Sequence, residues 1–174
     1  MGTIFLAGVY GVGKSTIGKK LNSLTNIPFY SAGDLISEIN GETYGANKVV
    51  KDKNNNQIIL SEAVNKKLNS DSRILLAGHF CIFDKECNID ILPISVFKQL
   101  TIEKIILLEA ENTTIFNHIA NRDSKEYSID CLNNLKIKEK ECAINIANEL
   151  NVPLYIHHME FNKSDVSNLM ELII

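Results

Sequence analysis

The sequence predicts a three-layer α/β fold with a parallel β-sheet between layers of helices, and three observations support this. Short apolar runs of strand character alternate with segments of helical periodicity along the 174 residues, which is typical of strand–helix–strand units. Residues 73–77 (RILLA) are apolar on both faces, as a central parallel strand must be. A glycine-rich stretch directly follows the first apolar run, where such folds turn from strand to helix. The length indicates one domain over residues 1–174.

The elements follow from apolar spacing in chain order. Strands are expected at residues 3–7, 27–31, 73–77, 104–108 and 152–156. Helices are expected at residues 14–24, 33–39, 57–68, 95–100, 113–121, 130–150 and 163–173. Residues 41–56 are polar and indicate an exposed excursion, which spans 41–68 when the helix after it is included. The charged residues 122–129 (RDSKEYSI) indicate a loop.

Charge and apolar patterning argue against several classes of protein. The formal net charge of −3 does not favour binding to nucleic acid or to an acidic membrane, both of which attract an excess of Lys and Arg. The apolar runs are too short to span a bilayer, and the first is interpreted as a strand because no positive region precedes it. The four cysteines form no CxxC pair, which is typical of reduced thiols in a cytoplasmic protein. A monomer or a small homo-oligomer is expected.

A phosphate-binding loop, or P-loop, is predicted at residues 8–16 (GVYGVGKST). Glycines let backbone N–H groups converge on a phosphate, and the helix that starts near Lys14 directs its N-terminal dipole to the same point. In this motif the lysine contacts the β- and γ-phosphates and the next hydroxyl, Ser15, binds Mg²⁺. The residues expected to contact ATP are Gly8, Val9, Tyr10, Gly11, Val12, Gly13, Lys14, Ser15 and Thr16. The motif predicts nucleoside triphosphate binding but does not by itself name a reaction.

An acidic residue follows the second predicted strand, in the stretch SAGDL at residues 31–35. The carboxyl ends of parallel strands border the ligand crevice. Asp34 is therefore expected to hold Mg²⁺ through water or to accept a proton from an incoming nucleophile. The alternative is an acid in the first turn of a helix that satisfies the helix dipole.

His79 and Phe80 follow the third predicted strand at the same edge of the sheet. His79 could contact a substrate base or phosphate and Phe80 could stack on a base, while a histidine held in place by hydrogen bonds is an equal alternative. His79, Cys81 and Cys87 could also hold a metal. Their spacing matches no compact zinc site, so ordinary side chains are the favoured interpretation.

Arginine is rare in this chain, with only Arg73 and Arg122, and it is the side chain best suited to bidentate phosphate contacts. Arg122 begins the charged loop at 122–129, which also contains Lys125. Such a loop could close over the phosphates as a lid, exclude water and neutralise the charge of the transferred group. Local ion pairs with Asp123 and Glu126 are the alternative.

Together these stretches resemble the small nucleoside monophosphate kinases of the P-loop superfamily, and most of all the archaeal-type adenylate kinases and related bacterial AAA/ATP-binding proteins. The resemblance covers nearly the whole chain in element order and rests on GVYGVGKST, SAGDL, the GHF after strand three and the lid arginine. It implies a five-stranded parallel sheet in the order 2-3-1-4-5, ATP and Mg²⁺ at the P-loop, an acceptor between strands two and three, and a lid. The implied residues are Lys14, Arg122 and Asp34 for catalysis, Ser15 and Asp34 for the metal, and Asp34, His79, Phe80 and Arg122 for the acceptor.

The chain departs from that family at the end of strand three, where adenylate kinases have an Asp. Here Ala77 and Gly78 stand in its place. Asp34 would then have to serve the metal, with Glu109 after the fourth predicted strand as a weaker candidate.

A second departure lies three residues after Asp34, where ordinary adenylate kinases have an Arg that grips the acceptor phosphate. Here the residue is Ser37, and Lys48 or Lys51 could substitute only as point charges. The expected function is transfer of the γ-phosphate of ATP to a nucleotide, nucleoside or similar small molecule. The alternatives are a nucleotide-binding switch or slow ATPase that acts through a protein partner, and a kinase of a non-nucleotide metabolite.

Overall fold

The computed structural model describes residues 2–40, 53–84, 86–122 and 127–174. The strands are β1 Gly2–Ala7, β2 Phe29–Ser31, β3 Arg73–Ala77, β4 Cys81–Phe83, β5 Ile89–Ile91, β6 Ile102–Glu109 and β7 Leu154–His158. The helices are α1 Lys14–Thr25, α2 Ala32–Asn40, α3 Lys53–Ser70, α4 Ile94–Lys98, α5 Asn112–Arg122, α6 Ile129–Leu150 and α7 Lys163–Ile173. No helix among these residues is both long and apolar enough to cross a membrane.

Five parallel strands form the main sheet in the order β2-β3-β1-β6-β7. All six residues of the central strand β1 are buried, which is the signature of a strand covered by helices on both faces. The predicted α/β fold class is confirmed. The order is also the predicted one once the strands of this sheet alone are counted, because β4 and β5 belong to a separate sheet.

The β4–β5 hairpin is an element that the sequence analysis missed. Its two strands are only three residues long and pair antiparallel. The Asp84 carboxylate accepts hydrogen bonds from the backbone N–H groups of Glu86 and Asn88, at 2.8 and 2.9 Å, and so closes the turn. Such short strands show too few alternations for a period of two to be recognised.

One of the two arginines, Arg73, contacts the C-terminus of α7. Arg73 Nη1 donates to the Ile173 carbonyl at 3.0 Å, and Lys104 Nζ donates to the Leu172 carbonyl at 2.8 Å. Both carbonyls belong to the last turn of α7, where cations offset the negative end of the helix dipole. Arg73 therefore has a structural role at the amino ends of the strands, because it begins β3.

The contact between α1 and β2 depends on Gly18, a buried glycine in the middle of α1. A Cβ atom at this position would lie 2.7 Å from Cζ of Phe29, and still closer to other atoms of that ring. The missing side chain lets the first helix lie directly against the strand that leads to residues 31–35. This contact sets how far β2 stands from the P-loop.

Gly18→Ala is expected to destabilise the fold, although alanine is the better helix former. Overpacking against Phe29 costs about 1–3 kcal/mol and the gain in helix propensity offsets at most about 1 kcal/mol. Urea unfolding measures the difference, with Lys19→Ala at the exposed neighbouring position as the control. A Gly18→Ala protein as stable as the parent or more so would contradict this packing.

Candidate active site

The loop between β1 and α1 has a backbone that only glycine adopts without strain at its key positions. Gly8 has φ 142° and Gly11 has φ 77°. A Cβ at Gly8 would lie 2.6 Å from the Leu108 carbonyl oxygen, and one at Gly11 would lie 2.9 Å from Cγ1 of Ile119. The loop is thus seated directly on β6 and α5, in the shape that a phosphate cradle requires.

The start of α1 offers its backbone N–H groups to a ligand. Gly13 is the N-cap residue, with φ 97°, and no side chain caps the helix, so the donors of the first turn remain available for an anion. Lys14 Nζ donates to the carbonyls of Gly8 and Val9, at 2.6 and 2.9 Å. These bonds hold the ammonium group over the loop, where a phosphate would lie.

A cavity of about 910 Å³ opens at the carboxyl ends of β1, β2 and β3. We call its P-loop side the donor end, lined by Gly11, Gly13, Lys14, Ser15, Thr16, His118, Asn121, Met159, Phe161 and Asn162. We call the opposite side the acceptor end, lined by Ser31, Gly33, Ile36, Asn56, Gln57, Leu60, His79, Ile82, Phe83, Leu92, Val96 and Phe97. The volume lies near the upper limit for small-ligand pockets.

Six of the nine predicted P-loop residues line this cavity: Tyr10, Gly11, Gly13, Lys14, Ser15 and Thr16. Ser15 and Thr16 are exposed and line it, which suits Ser15 to hold a metal ion beside the phosphates. The side chains of Val9 and Val12 are 3% and 0% exposed. They anchor the loop in the core, and only their backbone can contact a nucleotide.

Asp34 lies in the first turn of α2 and is exposed. Its neighbours Ser31, Ala32 and Gly33 line the cavity, whereas Asp34 is outside the lining. A role in holding Mg²⁺ through water stays a prediction. Glu109, the weaker candidate, pairs with Lys140 at 3.3 Å at the end of β6.

His79 lines the cavity, and its ring centroid is 4.4 Å from that of Tyr10 in the P-loop. The prediction that Phe80 stacks on a substrate base is wrong, because its ring is 0% exposed. That ring packs in the core, with its centroid 5.2 Å from that of Phe5 and 5.0 Å from that of Phe97. Phe80 lies after the end of β3 at Ala77, and its backbone N–H donates to the buried Glu139 carboxylate at 3.0 Å, so this segment is held against the core.

The predicted lid lies largely outside the described residues. Arg122 ends α5, but its side chain, residues 123–126 and the two lysines Lys48 and Lys51 are not described. The catalytic role of Arg122 stays a prediction, as does the exposed excursion over residues 41–52. The prediction was wrong for residues 53–56, which begin α3 and include the buried Asn56.

The cysteines do not form the metal site that was considered with His79. Cys81 Sγ lies 3.5 Å from Cys142 Sγ in the core, and burial raises the pKa of both thiols. Among the described residues, no three His, Cys, Asp or Glu side chains group in a way that could hold a metal ion. Buried thiols with raised pKa values are chemically inert.

Glu139 of α6 is the most important residue that the sequence analysis missed. Its carboxylate is 1% exposed and accepts hydrogen bonds from three backbone N–H groups: Gly8 at 3.3 Å, Phe80 at 3.0 Å and Cys81 at 2.8 Å. Burial raises the pKa of the Glu139 carboxyl, while these N–H donors and the charge of Lys14 act in the opposite direction. In the sequence it is one of several acids on an amphipathic helix, so spacing alone could not single it out.

The donor end has a second group that the sequence did not reveal. His118 of α5 makes a 2.8 Å hydrogen bond through Nδ1 to the Gly11 carbonyl, and its ring meets that of Phe161 edge-on at 4.8 Å. Phe161 belongs to the loop between β7 and α7.

The buried Asp165 holds the loop between β7 and α7 in place. Its carboxylate accepts hydrogen bonds from the N–H groups of Glu160 and Asn162 and contacts His157 at 2.8 Å. Burial opposes ionisation of Asp165, but these contacts prevail and lower the pKa of its carboxyl.

Glu139→Gln is expected to lower the free energy of unfolding by about 2–4 kcal/mol. The amide replaces one acceptor oxygen by a donor that faces backbone N–H groups in the interior, which leaves buried polar groups unsatisfied. Urea unfolding gives the value. The matched control on the same helix is Glu141→Gln, whose exposed carboxylate pairs with Lys138 at 2.8 Å. Equal effects of the two substitutions would disprove the role of Glu139.

The fold and the geometry of the site together define a class of protein. A parallel α/β sheet with a P-loop between its central strand and the following helix is the architecture of P-loop nucleotide-binding proteins. The family comparison agrees, because the model of the AAA domain matches residues 7–136 and the chain belongs to this family. No curated protein matches the chain.

Several solved structures of kinases have this fold. A shikimate kinase from Bacteroides thetaiotaomicron matches with a TM-score of 0.63 and 20% identity, covering 98% of this chain and 97% of that chain. A gluconokinase from Sinorhizobium meliloti matches with a TM-score of 0.55 and 14% identity, covering 99% of this chain and 95% of that chain. A sugar kinase from Janibacter sp. matches with a TM-score of 0.60 and 12% identity, covering 99% of this chain and 94% of that chain. At these identities the likeness establishes the fold, which is the one predicted from the resemblance to P-loop kinases. The closer likeness to archaeal-type adenylate kinases stays a prediction.

Proposed function

We propose that the protein is an ATP-dependent kinase that transfers the γ-phosphate to a small molecule. The observation that supports this most directly is the extent of the cavity, which runs from the P-loop past the ends of β2 and β3 to the β4–β5 hairpin. A nucleotide at the P-loop fills the donor end and leaves the acceptor end for a second ligand. A protein that only binds or hydrolyses ATP has no need of this second half.

In this proposal the donor end binds ATP. The N–H groups of the P-loop and the ammonium group of Lys14 hold the phosphates, and Ser15 holds Mg²⁺, which supplies charge neutralisation on the phosphates when bound. His118 and Phe161 border the place where the adenine ring would lie. Arg122, at the end of α5, is proposed to neutralise charge on the transferred group.

The acceptor is proposed to enter beside His79, which stands between the P-loop residue Tyr10 and the acceptor end. A neutral imidazole has one ring nitrogen that accepts a proton, which suits His79 to receive the proton of an acceptor hydroxyl. Asp34 is proposed to act through water, since it lies outside the cavity lining. The kinases that share the fold, among them a shikimate kinase and a gluconokinase, support a small metabolite as the acceptor.

A second candidate function is a nucleotide-dependent switch or slow ATPase that acts through a protein partner. Two observations favour it: Ala77 and Gly78 stand at the end of β3 without an acid, and Asp34 is exposed outside the cavity lining. Such a protein would bind ATP tightly and turn it over slowly.

Phosphate transfer is tested with ATP that carries a labelled γ-phosphate and a panel of nucleosides, nucleotides and small alcohols. We expect label in an organic product, and we expect Lys14→Ala to reduce its formation by roughly a hundredfold or more, the scale at which electrostatic groups act in transfer. Lys19→Ala, an exposed lysine on the same helix outside the cavity lining, is the control. Label found only in free phosphate would reject the kinase and favour the ATPase.

Phe161→Leu is expected to raise KM for ATP about three- to tenfold with little change in kcat, because the loss of an aromatic surface weakens binding in ground and transition states alike. Steady-state kinetics at saturating acceptor separate the two constants. Tyr155→Leu, on the exposed side of β7, controls for a general effect of removing a ring. An unchanged KM for ATP would exclude Phe161 from the base site.

A further inference from the structure

We propose that the acceptor is an uncharged molecule that combines a flat ring, a hydrogen-bonding edge and a hydroxyl group, which is the chemistry of a nucleoside, and that phosphorylated or carboxylated acceptors are poor substrates. This inference rests on the proposed kinase function and specifies the substrate class of the same cavity. It follows from what lines the acceptor end.

Aromatic rings form one wall of the acceptor end. Phe83 of β4 is nearly parallel to Tyr10 of the P-loop, at 25° and 6.1 Å between centroids, and to Tyr127 behind it, at 19° and 5.2 Å. His79 lies against the other side of the group, 4.4 Å from Tyr10. Phe83 is 8% exposed and packs within this group, whereas the half-buried rings of Tyr10 and His79 line the cavity and present the flat surfaces on which a planar ligand stacks.

Another part of the lining is apolar. It consists of Ile82, Leu92, Val96 and Phe97, from the hairpin and the region of α4. An anionic group placed against these residues would lose its hydration without gaining a partner, which disfavours its binding. An uncharged ring instead releases water from apolar surface.

The positive charges of the described lining come from one helix. Its lysines are Lys14 and Lys20, both on α1, and the described lining contains no arginine. Lys14 is held over the P-loop, so its charge serves the donor phosphates. The forked contact that best grips a phosphate or carboxylate is therefore missing from the described part of the acceptor end.

Polar contacts at the acceptor end come from groups that both donate and accept. Asn56 and Gln57 of α3 supply carboxamides, and Ser31 at the end of β2 supplies a hydroxyl. Asn56 is 7% exposed, so a carboxamide stands in a largely dry surrounding. Carboxamides match the alternating donors and acceptors on the edge of a neutral base.

The transfer step balances with these groups. The acceptor hydroxyl oxygen forms a bond to the γ-phosphorus, the bond from that phosphorus to the β–γ bridging oxygen breaks, and ADP leaves with the electron pair. The hydroxyl proton passes to His79 and then to solvent. The products are ADP and a phosphate monoester of the uncharged alcohol.

The first experiment compares two sets of acceptors with labelled ATP. The uncharged set is adenosine, guanosine, cytidine, uridine and their deoxy forms, and the anionic set is the matching monophosphates with shikimate and gluconate. We expect the best uncharged acceptor to exceed every anionic one at least tenfold in kcat/KM. An anionic acceptor that is equal or better overturns this inference and leaves the kinase standing, whereas release of free phosphate with every acceptor overturns both.

The second experiment changes the aromatic wall. Phe83→Leu is expected to raise KM for the best nucleoside several-fold, because Phe83 packs against Tyr10 and its loss weakens the aromatic wall, with a smaller effect on KM for ATP. Phe116→Leu, a half-buried ring on α5 outside the cavity lining, is the matched control and should change neither constant. An unaltered nucleoside KM in a folded Phe83→Leu protein would overturn the stacking site, and far-UV circular dichroism verifies the fold.

Discussion

One buried carboxylate connects the parts of this protein that have to act together. Glu139 accepts hydrogen bonds from Gly8 at the start of the P-loop and from Phe80 and Cys81 after β3. These segments are far apart in the sequence, and both border the cavity. A carboxylate can accept hydrogen bonds from several N–H groups at once. An apolar side chain in its place would leave each of these N–H groups without a partner in the interior. The distance between the donor and acceptor ends is therefore set from α6, which lies outside the cavity lining.

The sequence was sufficient to predict the main sheet and the P-loop. Both are determined locally, since strands show as apolar runs and the loop needs glycines wherever a Cβ atom would collide, as Gly8 and Gly11 do with β6 and α5. The order of the five strands also followed, through the resemblance to P-loop kinases. The β4–β5 hairpin was not predicted, because strands of three residues are too short to show a period.

The directions of side chains and the contacts between residues distant in the chain could not be predicted from the sequence. Phe80 stood at the right edge of the sheet, yet its ring packs into the core against Phe5 and Phe97. Glu139 and Phe161 had no local signal, because each acquires its role from contacts with residues distant in the chain. A similar limit applied to Asp34, whose place at a strand end was correct while the side chain lies outside the cavity lining.

The β4–β5 hairpin forms its own small sheet, which is not hydrogen-bonded as a strand to the main one. Its side chains Ile82 and Phe83 nevertheless form part of the acceptor wall. In the proposed function, part of the surface that contacts the acceptor is thus built on an insertion between β3 and β6, while the P-loop that would bind phosphate belongs to the core itself. Exchanging this hairpin between related chains is a route to new acceptors that leaves every strand of the central sheet in place.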